Sequence, residues 1–258
     1  QGQRILYKMV AEADVFLTNM RPFELERYNL KYDVLSGLNP GIVYGALTGY
    51  GKEGPDKDSP AYDHTGYWSR SGISHRVTSL SLPTPPETPP PAFLPAFGDN
   101  VSALALAYGI MTALFMRERT GVGQEVDVSL FHTAVYQLSF DLAGTLVTKE
   151  DCGRLNSMED IRSPLTAQYL TEDGRWILLI GLRPDRYWSR FCEAIERKDL
   201  ENDARFSTVD NMVENSLALY HILVEVFRSR TLEEWKPRLN AAGFPWAPVQ
   251  NLPEVISY

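Results

Sequence analysis

Cysteine is nearly absent from this sequence. Cys152 and Cys192 are the only two in 258 residues, too few for a disulfide framework and without metal-ligand spacing. Histidine is almost as sparse: His64, His75, His132 and His221 are scattered, and no pair has the helical spacing of metal ligands, so no metal is expected. An excess of basic charge is missing too. The formal net charge of -8 argues against a nucleic-acid partner, while leaving room for a local cationic contact to a phosphorylated ligand. The longest apolar run, 101–116, ends at Arg117-Glu-Arg119 short of a membrane span, so no membrane partner is expected. There is no Gly-x-Gly-x-x-Gly fingerprint, no phosphate-loop lysine and no nucleophile-elbow context around Ser71-Gly72. With so few thiols, a reducing, cytoplasmic compartment is the expectation.

What is present is an alternation of periodicities. A chain with 44% hydrophobic and 22% charged residues suits one large or two small globular domains. Ile5, Leu6, Met9 and Val10 give residues 3–12 helical spacing rather than a signal-peptide pattern, so the chain is expected to begin inside a fold. Asp14–Thr18 reads as a buried strand, and Pro22 suits the first position of a short helix over 23–28. A second helix is expected over 32–38, a second strand over 41–48, and a turn at Gly49-Tyr50-Gly51. Residues 62–73 could form another helix. Seven prolines between Pro83 and Pro95 exclude helix and central strand there. A strand over 125–130 and a long helix to about Leu146 follow. Beyond a polar stretch, 166–170 and 175–180 make a hairpin around Asp173-Gly174, with helices near 184–196, 208–228 and 231–241 and an extended segment over 244–249. The pattern is α/β with a parallel sheet, then a small α+β domain.

Gly98-Asp99-Asn100 stands directly before the apolar run. A carboxylate in the first turn of a helix meets unpaired N–H groups and the positive end of the peptide dipoles, so it stays ionised at low cost. On these residues alone Asp99 is most simply a helix N-cap. A reachable carboxylate there is also a plausible nucleophile.

Several segments together, in order along nearly the whole chain, resemble the class III coenzyme A transferases (the CaiB/BaiF type), a family that includes formyl-CoA transferase and the α-methylacyl-CoA racemases. The matching segments are Asn19-Met-Arg-Pro-Phe-Glu-Leu-Glu-Arg-Tyr28; Asn39-Pro-Gly-Ile-Val-Tyr44 with Thr48-Gly-Tyr-Gly51 and Gly54-Pro55; Ala61-Tyr-Asp63 with Arg70-Ser-Gly72; and, most specifically, Gly98-Asp99 with Arg117-Glu-Arg-Thr-Gly-Val-Gly-Gln124 and Val126-Asp-Val-Ser-Leu130.

The resemblance implies CoA transfer between an acyl-CoA and a carboxylic acid, with Asp99 as the nucleophile that passes through mixed-anhydride and aspartyl-CoA intermediates. It implies CoA contacts through Asn19, Met20, Arg27 and Tyr28, with Arg27 on a phosphate, and around Gly49, Tyr50, Gly51 and Tyr62. Arg21 is expected in a structural hydrogen bond, and Glu118–Arg119 in a surface pair. CoA and acyl-CoA enter as substrates, and no tightly bound cofactor is expected. The implied domains are a large CoA-transferase domain over 1–150, lacking the usual N-terminal nucleotide-binding segment, a linker at 151–162, and a small α+β domain with the start of a return segment over 163–258. The chain therefore reads as truncated at both ends, and a homodimer is expected. Two alternatives stay open: 2-methylacyl-CoA racemisation, and a catalytically inert CoA-binding or interaction module. The racemases carry a histidine where this chain has Tyr62; His64 is expected to point elsewhere, which favours transfer. The glycine-rich loop of some members has no counterpart in 147–165.

Overall fold

The structure, a computed structural model, describes residues 2–79, 94–150 and 163–257. Most of the proline-rich stretch and the expected linker at 151–162 lie outside the described residues. The chain divides into two compact units, Gln1–Arg154 and Leu155–Tyr258.

Unit 1 is built on a parallel sheet with strand order β1-β2-β3: β1 (Val15–Thr18), β2 (Val43–Thr48) and β3 (Glu125–Ser129). Thr18 aligns with Ala46, and Thr48 with Ser129. Helix α1 (Gly2–Glu12) precedes β1, and α2 (Pro22–Arg27) and α3 (Tyr32–Leu38) lie between β1 and β2. The alternation along β2 assigns the faces. Tyr44 and Ala46 join Val10, Leu25, Leu30 and Leu35 in a core beneath α1–α3. Gly45 points the other way, with Ile110 of α5 (Phe97–Thr120) packed on it. Gly109 of α5 similarly meets Val126 of β3, where a Cβ would stand 2.5 Å from Val126 Cγ1. The helix thus rests its backbone close against the sheet.

Helix α5 is longer than the 101–116 run that the sequence suggests. By length and composition it is apolar enough to cross a membrane, with a mean hydropathy of 1.3, yet here it lies against β2 and β3. Its C-terminal end is tied down by Arg117, 3.0 Å from Asp14. Glu118 and Arg119 do not form the expected pair: Glu118 lies 3.9 Å from Arg117, and the Arg119 guanidinium sits 4.2 Å over the Phe115 ring.

Between β2 and α5 come a π-helix, Asp63–Ser69, and α4 (Ile73–Ser79), where the sequence suggested one helix over 62–73. After β3, the expected single helix is two, α6 (Leu130–Gln137) and α7 (Ser139–Thr148), with Leu138 leaving helical geometry between them.

Unit 2 carries an antiparallel sheet of β4 (Gln168–Leu170), β5 (Trp176–Leu179) and β6 (Trp246–Pro248), the hairpin turning at Gly174 with φ +72. Helices α8 (Pro184–Ala194), α9 (Val209–Glu214), α10 (Ser216–Phe227) and α11 (Leu232–Ala242) pack with the sheet around Tyr169, Ile177, Phe191, Leu223, Phe227 and Trp235. A short α12 (Leu252–Ile256) follows. The helix expected over 208–228 breaks at Asn215. Its side-chain amide donates to the Asn211 carbonyl at 2.9 Å, a local bond that competes with helix continuation.

Candidate active site

The carboxyl ends of the three parallel strands share one edge of unit 1, the edge at which open α/β sheets bind ligands. The same device shapes two of the loops there. Buried Thr18 ends β1, and its Oγ1 accepts from Met20 N–H at 3.1 Å; buried Thr48 ends β2, and its Oγ1 accepts from Gly51 N–H at 2.9 Å. Gly51 takes φ +91, a backbone state that glycine supplies at little cost. Gly49 O accepts from Phe131 N–H at 3.0 Å, which fastens this turn to α6, and the half-buried Tyr50 ring lies 6.4 Å from that of Phe131.

The β2 turn packs against the π-helix and the residues just before it. A Cβ on Gly49 would stand 2.3 Å from Ala61 Cβ, and one on Gly66 would stand 3.3 Å from Gly49 O, so the turn and the π-helix are in contact. Tyr67 is buried and donates its hydroxyl to Gln137 Oε1 at 2.6 Å. Against it lies Gly98, the second residue of α5. A Cβ there would meet Tyr67 Cγ at 2.2 Å and Asp63 Oδ1 at 2.3 Å. Asp63 is 4% exposed, and among the described residues neither of its carboxylate oxygens has a hydrogen-bond partner.

Asp99 follows Gly98 and is exposed. It does not serve as the N-cap. The helix begins at Phe97, Ala96 occupies the cap position with φ 58, and Asp99 is the third helical residue. The first turn closes with Asn100 N–H on Ala96 O at 2.9 Å, and among the described residues the N–H groups of Gly98 and Asp99 have no acceptor. Partial desolvation, then the negative charge of Asp63, raises the Asp99 pKa, while His64 pulls it down.

Gly49, Tyr62 and Asp99 thus lie around the π-helix, whereas Gly51 lies against His132 of α6 and Asp127 of β3. Tyr62 stands at the start of the π-helix, 83% exposed, with its N–H on Thr65 Oγ1 at 2.9 Å. Asn19 and Met20 follow the neighbouring strand. Asn19 is exposed, whereas Met20 packs against the core beneath α1–α3. Arg27 and Tyr28 sit at the exposed end of α2. The Arg27 guanidinium lies 5.6 Å over the Tyr28 ring and makes no ion pair among the described residues. Arg21 takes the structural role expected of it, with Nε donating to Glu24 at 3.3 Å. Asp63 and His64 carried no site assignment in the sequence. The available signal was the tandem Asp63-His64 together with a glycine immediately before Asp99.

Among the described residues no group of three or more His, Cys, Asp or Glu could hold a metal ion. A hollow of about 240 Å³ between α2 and the sheet is lined by Pro22, Leu25, Tyr32, Tyr44, Ala46 and Glu125, none of them a predicted contact residue.

A family model described as CoA-transferase family III matches residues 1–258. Among curated proteins, the (R)-2-hydroxy-4-methylpentanoate CoA-transferase of Clostridioides difficile is 36% identical over 258 residues, an overlap of 99% of this chain and 62% of that protein. The cinnamoyl-CoA:phenyllactate CoA-transferase of Clostridium sporogenes is 30% identical, over 99% of this chain and 61% of that protein. A solved CAIB/BAIF family protein from Brucella suis superposes with a TM-score of 0.76 at 26% identity, covering 100% of this chain and 65% of that one. The chain thus spans less than two thirds of the length of these three relatives.

Proposed function

This chain belongs to CoA-transferase family III, and we propose on that premise that it carries the reacting face of an enzyme that moves CoA between an acyl-CoA and a carboxylic acid. An Asp99 oxygen adds to the carbonyl carbon of the thioester, the C–S bond breaks, and CoA departs as its thiolate, leaving a mixed anhydride. The thiolate then attacks the aspartyl carbonyl. The donor acid leaves as a carboxylate, and an aspartyl-CoA thioester remains. An acceptor carboxylate runs the two steps in reverse and restores Asp99. The N–H groups of Gly98 and Asp99 that lack acceptors, and those of the Gly49–Gly51 turn, are candidates to stabilise the oxyanion.

The supporting observation is the setting of Asp99: an exposed carboxylate in the first turn of a long helix, with a second carboxylate beside it. The test is mass spectrometry after incubation with acyl-CoA, with hydroxylamine or borohydride trapping. Asp99→Asn should keep the fold and any CoA affinity and abolish the adduct. An adduct that forms at the wild-type rate in this variant, or that maps to another residue, refutes the assignment. CoA binding with no adduct in the wild-type chain supports the inert-module alternative.

In this reading Arg27, exposed and without an ion pair, takes a CoA phosphate, a role suited to a guanidinium. Tyr28, Asn19 and Met20 flank the nucleotide, and Tyr50 and Tyr62 border the acyl end. Residues 1–150 form the large domain, and 163–258 the small one. The acceptor is a 2-hydroxycarboxylic acid, the class to which the 2-hydroxy-4-methylpentanoate and phenyllactate of the two relatives' names belong. Competition between phenyllactate and 3-phenylpropionate as acceptors tests this; equal use removes the 2-hydroxyl from the specificity. The enzyme works as a homodimer in a reducing, cytoplasmic compartment. Leu104, Tyr108, Met111, Tyr136, Phe140 and Val147 on α5–α7 are 65–88% exposed, an apolar surface that a partner would cover. Light scattering that finds a stable monomer at high concentration counts against the dimer.

The alternative reaction is racemisation of a 2-methylacyl-CoA, with His64, the residue after Asp63, as the candidate partner of Asp99. Exchange of the α-proton with deuterated solvent, in the absence of any carboxylate acceptor, is its signature.

A further inference from the structure

Asp63 is a buried acidic side chain that the transfer steps do not use. It opens the π-helix and is 4% exposed, with no hydrogen-bond partner for either carboxylate oxygen among the described residues. Its Oδ1 lies 2.3 Å from where a Cβ on Gly98 would stand, so the carboxylate is pressed against the backbone one residue before the nucleophile. Among the described residues no side chain of the elements packed around it gives it a hydrogen bond. On its own helix, Tyr67 gives its hydroxyl to Gln137 of α6, and His64 is the basic neighbour whose charge also reaches Asp99. From α4, Arg76 is engaged with Asp141 at 2.9 Å. From α5 the facing charge is that of Asp99 itself. A buried carboxylate left without partners weakens a fold, and sites that persist despite that cost are often functional.

We propose that Asp63 is a positioning residue that drives acylation of Asp99, because two adjacent like charges raise the energy of the ionised nucleophile and acylation relieves the repulsion. The proposal rests on the transfer reading above. As the Asp99 oxygen forms its bond to the acyl carbon and the C–S bond breaks, the negative charge moves from Asp99 to the departing sulfur, away from Asp63. No proton is exchanged in this step. The same repulsion opposes release of Asp99 as a free carboxylate, so Asp63 favours the covalent states over the free enzyme.

The test is Asp63→Asn, which keeps the shape and removes the charge, made in the full 258-residue chain. Three results are expected. Melting temperature stays level or rises. The single-turnover rate of adduct formation from acyl-CoA falls about tenfold or more, a barrier change of about 1.4 kcal/mol. The carboxyl midpoint of Asp99, read by NMR with 13C-labelled aspartate, moves down. A residue with a merely structural role would lower the melting temperature and leave that midpoint in place. An unchanged Asp99 midpoint overturns the proposal whether or not the chain turns over, as does adduct formation at the wild-type rate in the variant. Absence of any adduct in the wild-type chain overturns the transfer reading instead, and the NMR titration still decides the role of Asp63.

Discussion

Substituting Gly98 by alanine is the sharpest test of how the site is assembled. Gly98 is not held at positive φ, so its backbone gives no reason to exclude a side chain. Local propensity favours the change, since alanine is better than glycine in a helix by about 1 kcal/mol. The contacts oppose it. The new Cβ would lie 2.2 Å from Tyr67 Cγ, 2.5 Å from Tyr67 Cβ and 2.3 Å from Asp63 Oδ1, all inside van der Waals contact. Tyr67 has little freedom to yield, being fully buried with its hydroxyl fixed on Gln137 at 2.6 Å. Inserting a methyl into packing of this kind typically costs about 1–3 kcal/mol. Because Tyr67 cannot yield, the upper end of that range, about 3 kcal/mol, applies, and with about 1 kcal/mol of propensity set against it a net loss of about 2 kcal/mol is expected, or roughly 4–8 °C in melting temperature for a domain of this size. Urea denaturation and a thermal scan followed by circular dichroism measure it. A neutral or stabilised Gly98→Ala would show that propensity prevails, and that the π-helix does not press on the start of α5 as described.

Two further outcomes follow from the same geometry. Gly123→Ala should prevent folding of unit 1 or cost more than Gly98→Ala, because its Cβ would stand 1.9 Å from the backbone oxygen of Ile42, where no side chain can move aside; soluble yield and circular dichroism report it, and a native-like melt refutes it. Adduct formation should rise with pH through a midpoint above the ordinary aspartate value of about 3.9, because desolvation and then Asp63 raise the Asp99 pKa against the opposing pull of His64. Since the folded chain then holds this proton where the unfolded chain has lost it, ionising Asp99 lowers stability as pH rises through that window, and Asp99→Asn should remove this contribution; a midpoint at or below the ordinary value refutes the reasoning.

Much of the architecture is legible in the sequence because it rests on local rules. Apolar runs closed by turn residues mark β1 and β2, Pro22 marks the start of α2, and Asp173-Gly174 marks the hairpin of unit 2. What is not legible depends on partners distant in sequence. The break at Asn215 turns on a side-chain amide choosing a backbone carbonyl, which periodicity does not register. Asp99 resembles an N-cap because Asn100 and the apolar run follow it, yet the helix starts earlier, at Phe97, with α5 packed on the sheet through Gly109 and Ile110. Asp63 gives no sign in sequence of being buried; only the approach of Gly98 and Tyr67 shows that its charge is enclosed.

The irregularities of unit 1 are concentrated around Asp99. A π-helix, rare in itself and frequent at functional sites, opens with a buried, unpartnered carboxylate. Ala96, a residue with a Cβ, takes φ 58 just before α5, at a cost that glycine would avoid. Gly98 gives up helix propensity so that two segments can touch. Each departure disfavours folding, and any one of them alone would count as tolerated noise. They lie together at the start of α5 and on the segment packed against it. Sequences that specify a fold are consistent across levels, and their local violations gather where function overrides stability. Fold stability alone gives no reason to enclose Asp63, or to force Gly98 against it beside an exposed carboxylate, whereas the proposed role of Asp99 as a nucleophile kept at raised energy until it reacts gives one.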